Sequence, residues 1–104
     1  MLTTPTSTLE GKTITAYHGV VSGEAIMGAN IVRDLFASVT DVIGGRSSAY
    51  EEKLIESREV AMKEMIERAQ QHGANAVIGI SLDFETIGQG MMMCIATGTA
   101  VTYE

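Results

Sequence analysis

The chain of 104 residues is long enough for one core and too short for two, so residues 1–104 read as a single domain. Hydrophobic residues make up 45% and charged residues 19%, which excludes a disordered chain, and the net charge of −6 argues against nucleic-acid and anionic-membrane partners. The lone cysteine excludes an internal disulfide and any zinc site within one chain that needs two thiolates.

The first residues, Met1-Leu2-Thr3-Thr4-Pro5, have neither the basic start nor the apolar run of a secretory signal. No stretch reaches the roughly 18 apolar residues of a membrane span. With one thiol in an apolar run, the expectation is a cytoplasmic protein. Residues 13–21 are rich in Thr, Val, Ile and Tyr and predict a strand that continues toward Met27. Alternation places Ile14, Ala16, His18 and Val20 on one face, while Gly19 and Gly23 suggest a bulge or a close backbone approach. Val32, Leu35, Phe36, Val39 and Ile43 recur at helical spacing and predict a short helix over 30–43, stopped by Gly44-Gly45.

The strongest local signal lies at residues 50–72. Ser48 and Glu51 have the spacing of a capping box, and Gly73 is a C-terminal stop. Leu54, Ile55, Ala61, Met62, Met65, Ile66 and Ala69 fall on one helical face. Glu52, Glu56, Glu59, Lys63, Glu64, Glu67 and Gln70 fall on the opposite one, which is expected to face water. Two strands follow, at 76–85 and 91–103, joined by a turn at 86–90. In the first, Ile78, Ile80, Leu82 and Phe84 alternate with polar residues. The second is apolar on both faces: small at Cys94, Ala96, Gly98 and Ala100, larger at Met91, Met93, Ile95, Val101 and Tyr103. The small face suits close packing of the long helix. The larger face needs another cover, which a chain this short has little left to supply. That arithmetic predicts a homo-oligomer, with Ile95, Val101 and Tyr103 at its interface.

Several local words now form a pattern. Gly44-Gly45-Arg46-Ser47, Tyr50-Glu51, the segment Gly73-Ala74-Asn75-Ala76-Val77-Ile78-Gly79 and Ala96-Thr97-Gly98-Thr99-Ala100-Val101 resemble the YbjQ-like family of small bacterial and archaeal proteins. The resemblance covers nearly the whole chain. It implies an α+β fold, a two-layer β-α-β-β subunit of dodecin-like type with one long helix on an antiparallel sheet. It further implies rings, as pentamers, whose strands join into a central barrel. The family has no agreed activity, and its heavy-metal-binding label would make a heavy metal ion the cofactor.

The residues able to carry chemistry are few. Soft metals want thiolates, thioethers and imidazoles. Met91-Met92-Met93-Cys94 offers such atoms, but on a strand Met92 and Cys94 face away from Met91 and Met93. A metal site would therefore take one or two ligands from each chain, His18, Met93 or Cys94, around a ring axis, against the simpler reading of core methionines and a hydrogen-bonded histidine. An anion has a better-formed target. Arg46 and Ser47 precede a helix N-terminus, where exposed amides attract negative charge, with Tyr50 and Glu51 beside them. Arg58 falls on the apolar helix face, where a charge must find a partner or reach out to water. No nucleophile elbow or acid–base pair is recognisable, so the chain reads as a non-enzymatic binding or scaffolding protein. A metal binder and an enzyme with a site shared between subunits are the alternatives.

Overall fold

In the computed structural model, which describes residues 1–28, 30–32, 48–88 and 90–104, the long helix covers one face of a four-stranded sheet. The strands are β1 (Leu2–Thr3), β2 (Ile14–Met27), β3 (Ala76–Ile87) and β4 (Met91–Tyr103), and the helix is α1 (Ser48–Gln71). Their order across the sheet is β1-β3-β4-β2. β4 pairs antiparallel with both long neighbours, while β1 runs parallel to β3. Residues 30–32 are helical, at the start of the expected short helix, whose remainder lies outside the described residues. No described helix is long and apolar enough to cross a membrane.

The small face of β4 packs as its residues require. Cys94, Ala96 and Ala100 are wholly buried, and on α1 so are Ala61, Met65 and Ala69, a stripe at four-residue spacing. With so little side-chain volume between them, the layers come together backbone to backbone. A Cβ added at Gly23 of β2 would collide with the carbonyl oxygen of Ala61 and lie 2.6 Å from the Met65 nitrogen. The glycine thus sets where the helix rests, over β2 and β4 rather than over β3.

A bulge in β3 alters the expected alternation. Ile78 pairs with Thr99 and Ser81 with Thr97, so β3 holds one residue more than its partner over this step. Gly79 absorbs it at φ 61°, a backbone conformation glycine adopts without a Cβ clash. As a result Val77 faces the helix, and Leu82 and Phe84 return to that face. Ile78 turns to the other side with Ala76 and Val101. The unbroken run from Ile78 to Phe84 on one side, expected from sequence, is corrected by this bulge.

The face away from the helix is half covered by the chain itself. Past β1, the N-terminal segment follows β3: Thr4 N–H donates to Val77 O at 3.0 Å and Gly79 N–H to Thr6 O at 2.7 Å. Leu9, Ile14 and Tyr103 pack there against Ala76, Ile78 and Val101. Val101 is therefore fully buried inside its own subunit, and its expected place at an interface is corrected. Tyr103 is half-buried with Lys12 Nζ 5.6 Å from its ring centre. Toward the other end Met91, Met93 and Ile95 stay half-buried and Ile26 is exposed.

The two edges of the sheet differ. Beyond the short N-terminal segment, β3 has no strand on its outer side among the described residues. The outer edge of β2 is held midway by α1. Glu24 N–H donates to Glu64 Oε1 at 3.3 Å, and Arg68 donates to Ser22 O at 2.7 Å.

A candidate ligand groove beside Arg58

Because α1 rests chiefly over β2 and β4, its other flank meets β3 at Val77 and overhangs the stretch around Leu82. Met62 and Ile66 from the helix, Ile80 and Leu82 from β3, and Pro5 from the N-terminal segment line a groove of about 700 Å³. That volume is within the usual range for small-molecule sites. Leu82 and Phe84 keep 38% and 41% of their surface exposed, although they are on the helix side of the sheet. Thr3, Thr4 and Gln70 supply polar groups, and Glu59, Lys63 and Glu67 stand along the helix side.

Arg58 closes one end of this groove and also lines a smaller one with Glu51, Leu54, Ile55 and Phe84. Glu51, expected beside the anion loop, thus lines the same small groove as Arg58. Among the described residues its guanidinium has no hydrogen bond or ion pair. A guanidinium offers a fork of donors that suits a carboxylate or phosphate.

The other candidates are placed as follows. Arg46 and Ser47 lie outside the described residues. Tyr50 belongs to the first turn of α1. His18 is half-buried, with Nε2 2.8 Å from Thr102 Oγ1, whose hydroxyl donates to Gly73 O at 3.4 Å. Cys94 is buried under the helix, and burial pushes its thiol pKa up against the nearby charge of Arg58. Met93 faces the opposite side of the sheet, beside Ile26 and Glu85. His18 is roughly 20 Å down β2 from Ala25, the partner of Cys94. Within one chain His18, Met93 and Cys94 therefore lie apart, and a metal would have to draw on several copies around an axis. Among the described residues no three His, Cys, Asp or Glu side chains group as a metal site would need.

Two features escape the sequence reading. Pro5 and its neighbours reach the groove only through a parallel strand pair far along the chain. Glu64, assigned to the water face, bonds instead to the edge of β2, where Arg68 bridges it at 2.8 Å and Glu24 at 3.1 Å. Hydrogen bonds with Glu64, then Ser22 and Arg68, and the charge of Arg68 hold the Glu24 carboxyl below its ordinary pKa, against a smaller opposing effect of burial. Glu24, the one acidic residue of β2, was the available signal.

Comparison with known proteins gives a family and a fold. A family model described as "Putative heavy-metal-binding" matches residues 1–104. A UPF0145 protein of Geobacillus kaustophilus is 64% identical over 101 residues, which cover 97% of this chain and 96% of that one. A UPF0145 protein of Carboxydothermus hydrogenoformans is 58% identical over 104 residues, covering 100% and 97%. A solved structure of a protein of unknown function from the DUF74 family of Pediococcus pentosaceus is similar at a TM-score of 0.66. It shares 14% identity over 100% of this chain and 98% of that one, and shows the fold alone.

Proposed function

The chain belongs to the YbjQ-like family, and from that premise we propose a non-enzymatic, homo-oligomeric binding protein whose ligand is a small amphiphilic anion. The observation that carries the reading is a guanidinium that has no hydrogen bond or ion pair among the described residues, at the end of an apolar groove. Arg58 would take a carboxylate or phosphate head, and Met62, Ile66, Ile80 and Leu82 would flank an apolar tail. Assembly, as the ring of five copies expected for the family, rests on the apolar surface the subunit leaves open at Met93, Ile95 and Ile26. The heavy-metal reading finds less support, because a buried thiol with a raised pKa is a poor thiolate donor.

Thermal shift in the presence of dodecanoate, dodecanol and inorganic phosphate tests the reading. Saturating dodecanoate at about 100 times Kd should stabilise by about 2.7 kcal/mol, and Arg58→Gln should abolish most of that gain. Equal shifts from dodecanol and dodecanoate, or a full shift in the Arg58→Gln variant, would refute it. Stoichiometric uptake of zinc or copper(I) would instead favour the metal reading.

A further inference from the structure

We infer that the groove takes an unbranched chain that is polar at both ends, a medium-chain ω-hydroxy acid, and that Gln70 and Thr3 recognise its far end. The inference rests on the anion reading above and adds a second recognition point to the same site.

The helix sets out the lining in order. Arg58, Met62, Ile66 and Gln70 all line the groove and follow one another at four-residue spacing, so they form one row along α1. β3 runs back along this row. Its start is buried with Ala69 through Val77, while Phe84 lines the smaller groove with Arg58. Leu82 therefore stands toward Arg58, Ile80 toward the middle, and Thr3, the strand partner of Val77, toward Gln70. The groove is cationic at one end, apolar in the middle, and neutral but hydrogen-bonding at the other.

Charge decides which end takes the anion. Lys63 has Glu59 and Glu67 one turn to either side, the spacing at which helix side chains meet. The positions one turn from Arg58 are Leu54, Ile55, Ala61 and Met62, none of them acidic. At the far end α1 stops at Gln71, and the carbonyl end of a helix disfavours negative charge. Glu67 adds to that effect, so a second anion is disfavoured beside Gln70. A hydroxyl is suited to it. The Thr3 hydroxyl and the Gln70 amide have no hydrogen bond among the described residues, whereas the Thr4 hydroxyl already accepts from Thr6 N–H at 3.2 Å.

Length gives the size of the chain. From Arg58 to Gln70 the helix rises about 18 Å, at about 1.5 Å per residue. An extended hydrocarbon advances about 1.25 Å per bond, which puts the hydroxyl of 12-hydroxydodecanoate about 15 Å from its carboxyl carbon. A hydrogen bond of about 2.9 Å covers the remainder. Dodecanoate would set a methyl group at the same place, where the lining is no longer apolar.

Isothermal titration calorimetry of the full chain with dodecanoate, 12-hydroxydodecanoate and dodecanedioate, each below its micelle concentration, tests this. The hydroxy acid should bind about 3- to 10-fold more tightly than dodecanoate, the worth of one net hydrogen bond, and the diacid more weakly than the hydroxy acid. Gln70→Leu and Thr3→Val, combined in one protein, should abolish the advantage of the hydroxy acid while dodecanoate still binds. Gln70 is exposed and valine keeps the β-branched shape of Thr3, so the fold is retained. Equal binding of the hydroxy acid and dodecanoate, a diacid that binds as tightly as the hydroxy acid, or a preference that survives the double substitution would overturn the far-end assignment and leave the anion reading at Arg58 intact. Failure of all three compounds to bind would overturn both readings.

Discussion

Replacing Gly23 with alanine should be among the most destabilising single-methyl changes available to this chain. The added Cβ would meet the Ala61 carbonyl oxygen well inside contact distance, the Met65 nitrogen at 2.6 Å and the Ala61 carbonyl carbon at 3.0 Å. All three are helix backbone atoms, so no rotamer change relieves the clash and α1 itself must withdraw by about 1 Å. A gap of that size forfeits between about a quarter and a half of the dispersion attraction of each contact across it. The contacts at stake are those of Ala61, Met65 and Ala69 with Ala25 and Ala96, the centre of the core. Overpacking of this kind costs about 1–3 kcal/mol, and a rigid obstacle places Gly23→Ala at the upper end, about 3 kcal/mol. For a domain of this size that is a fall in Tm of about 12–24 °C. Urea denaturation and calorimetry at one fixed protomer concentration read the effect, since assembly would otherwise move Tm. Gly98→Ala is the internal comparison. Its Cβ meets a side-chain methyl, Val77 Cγ1, at 2.5 Å, with the Ile78 carbonyl oxygen and Ile80 Cγ1 both at 3.2 Å. The nearest obstacle is a side-chain methyl rather than backbone and can shift, so roughly half the cost is expected there. A Gly23→Ala protein within about 0.5 kcal/mol of wild type would refute the packing argument, as would rescue by Ala61→Gly, which leaves the offending carbonyl in place.

Arg68→Met should cost at most about 1 kcal/mol at pH 7, since both partners of the ion pair are more than a third exposed. Glu24 has its pKa lowered by folding, so its contribution is present above the unfolded pKa and disappears as pH falls through the folded one. The urea midpoints of wild type and variant should therefore converge below about pH 4; a gap that stays constant from pH 7 to pH 3 would show that Glu24 does not depend on Arg68. Cys94, fully buried and with its thiol pKa raised, should resist Ellman's reagent at pH 8 in the native protein and react fully in urea. Rapid native-state labelling would place the thiol at the surface and refute the assignment of the small β4 face to the core.

The elements with a clear period were legible in the sequence. Residues 50–72 announced α1 through the spacing of Ala61, Met65 and Ala69, and the alternation of small and large residues in β4 gave its helix-facing side correctly. What was not legible depended on contacts distant in sequence. The run Ile78-Gly79-Ile80-Ser81-Leu82 alternates without a flaw, and only the pairing with β4 reveals that Gly79 is the extra residue. Residues 1–12 have no period, yet they bury Val101 and wall the groove, because their partner β3 is far along the chain. Helical phase placed Glu64 away from the core, and did so rightly; phase alone does not say that a strand edge passes there. For the candidate site, Arg58 was identified as a charge on the apolar helix face, whereas Ile80, Leu82 and Pro5 became visible only once Gly23 had fixed the helix over β2.

The order of strands has a consequence for biosynthesis. β4 lies between β2 and β3 and is translated after both, so neither outer strand has its main partner until residues 91–103 leave the ribosome. Until then α1 has no complete surface to rest on, and two long apolar strands wait with their inner edges open. Folding of this chain is therefore confined to the period after β4 emerges, and the interval before it is the chain's greatest exposure to mispairing and to chaperones.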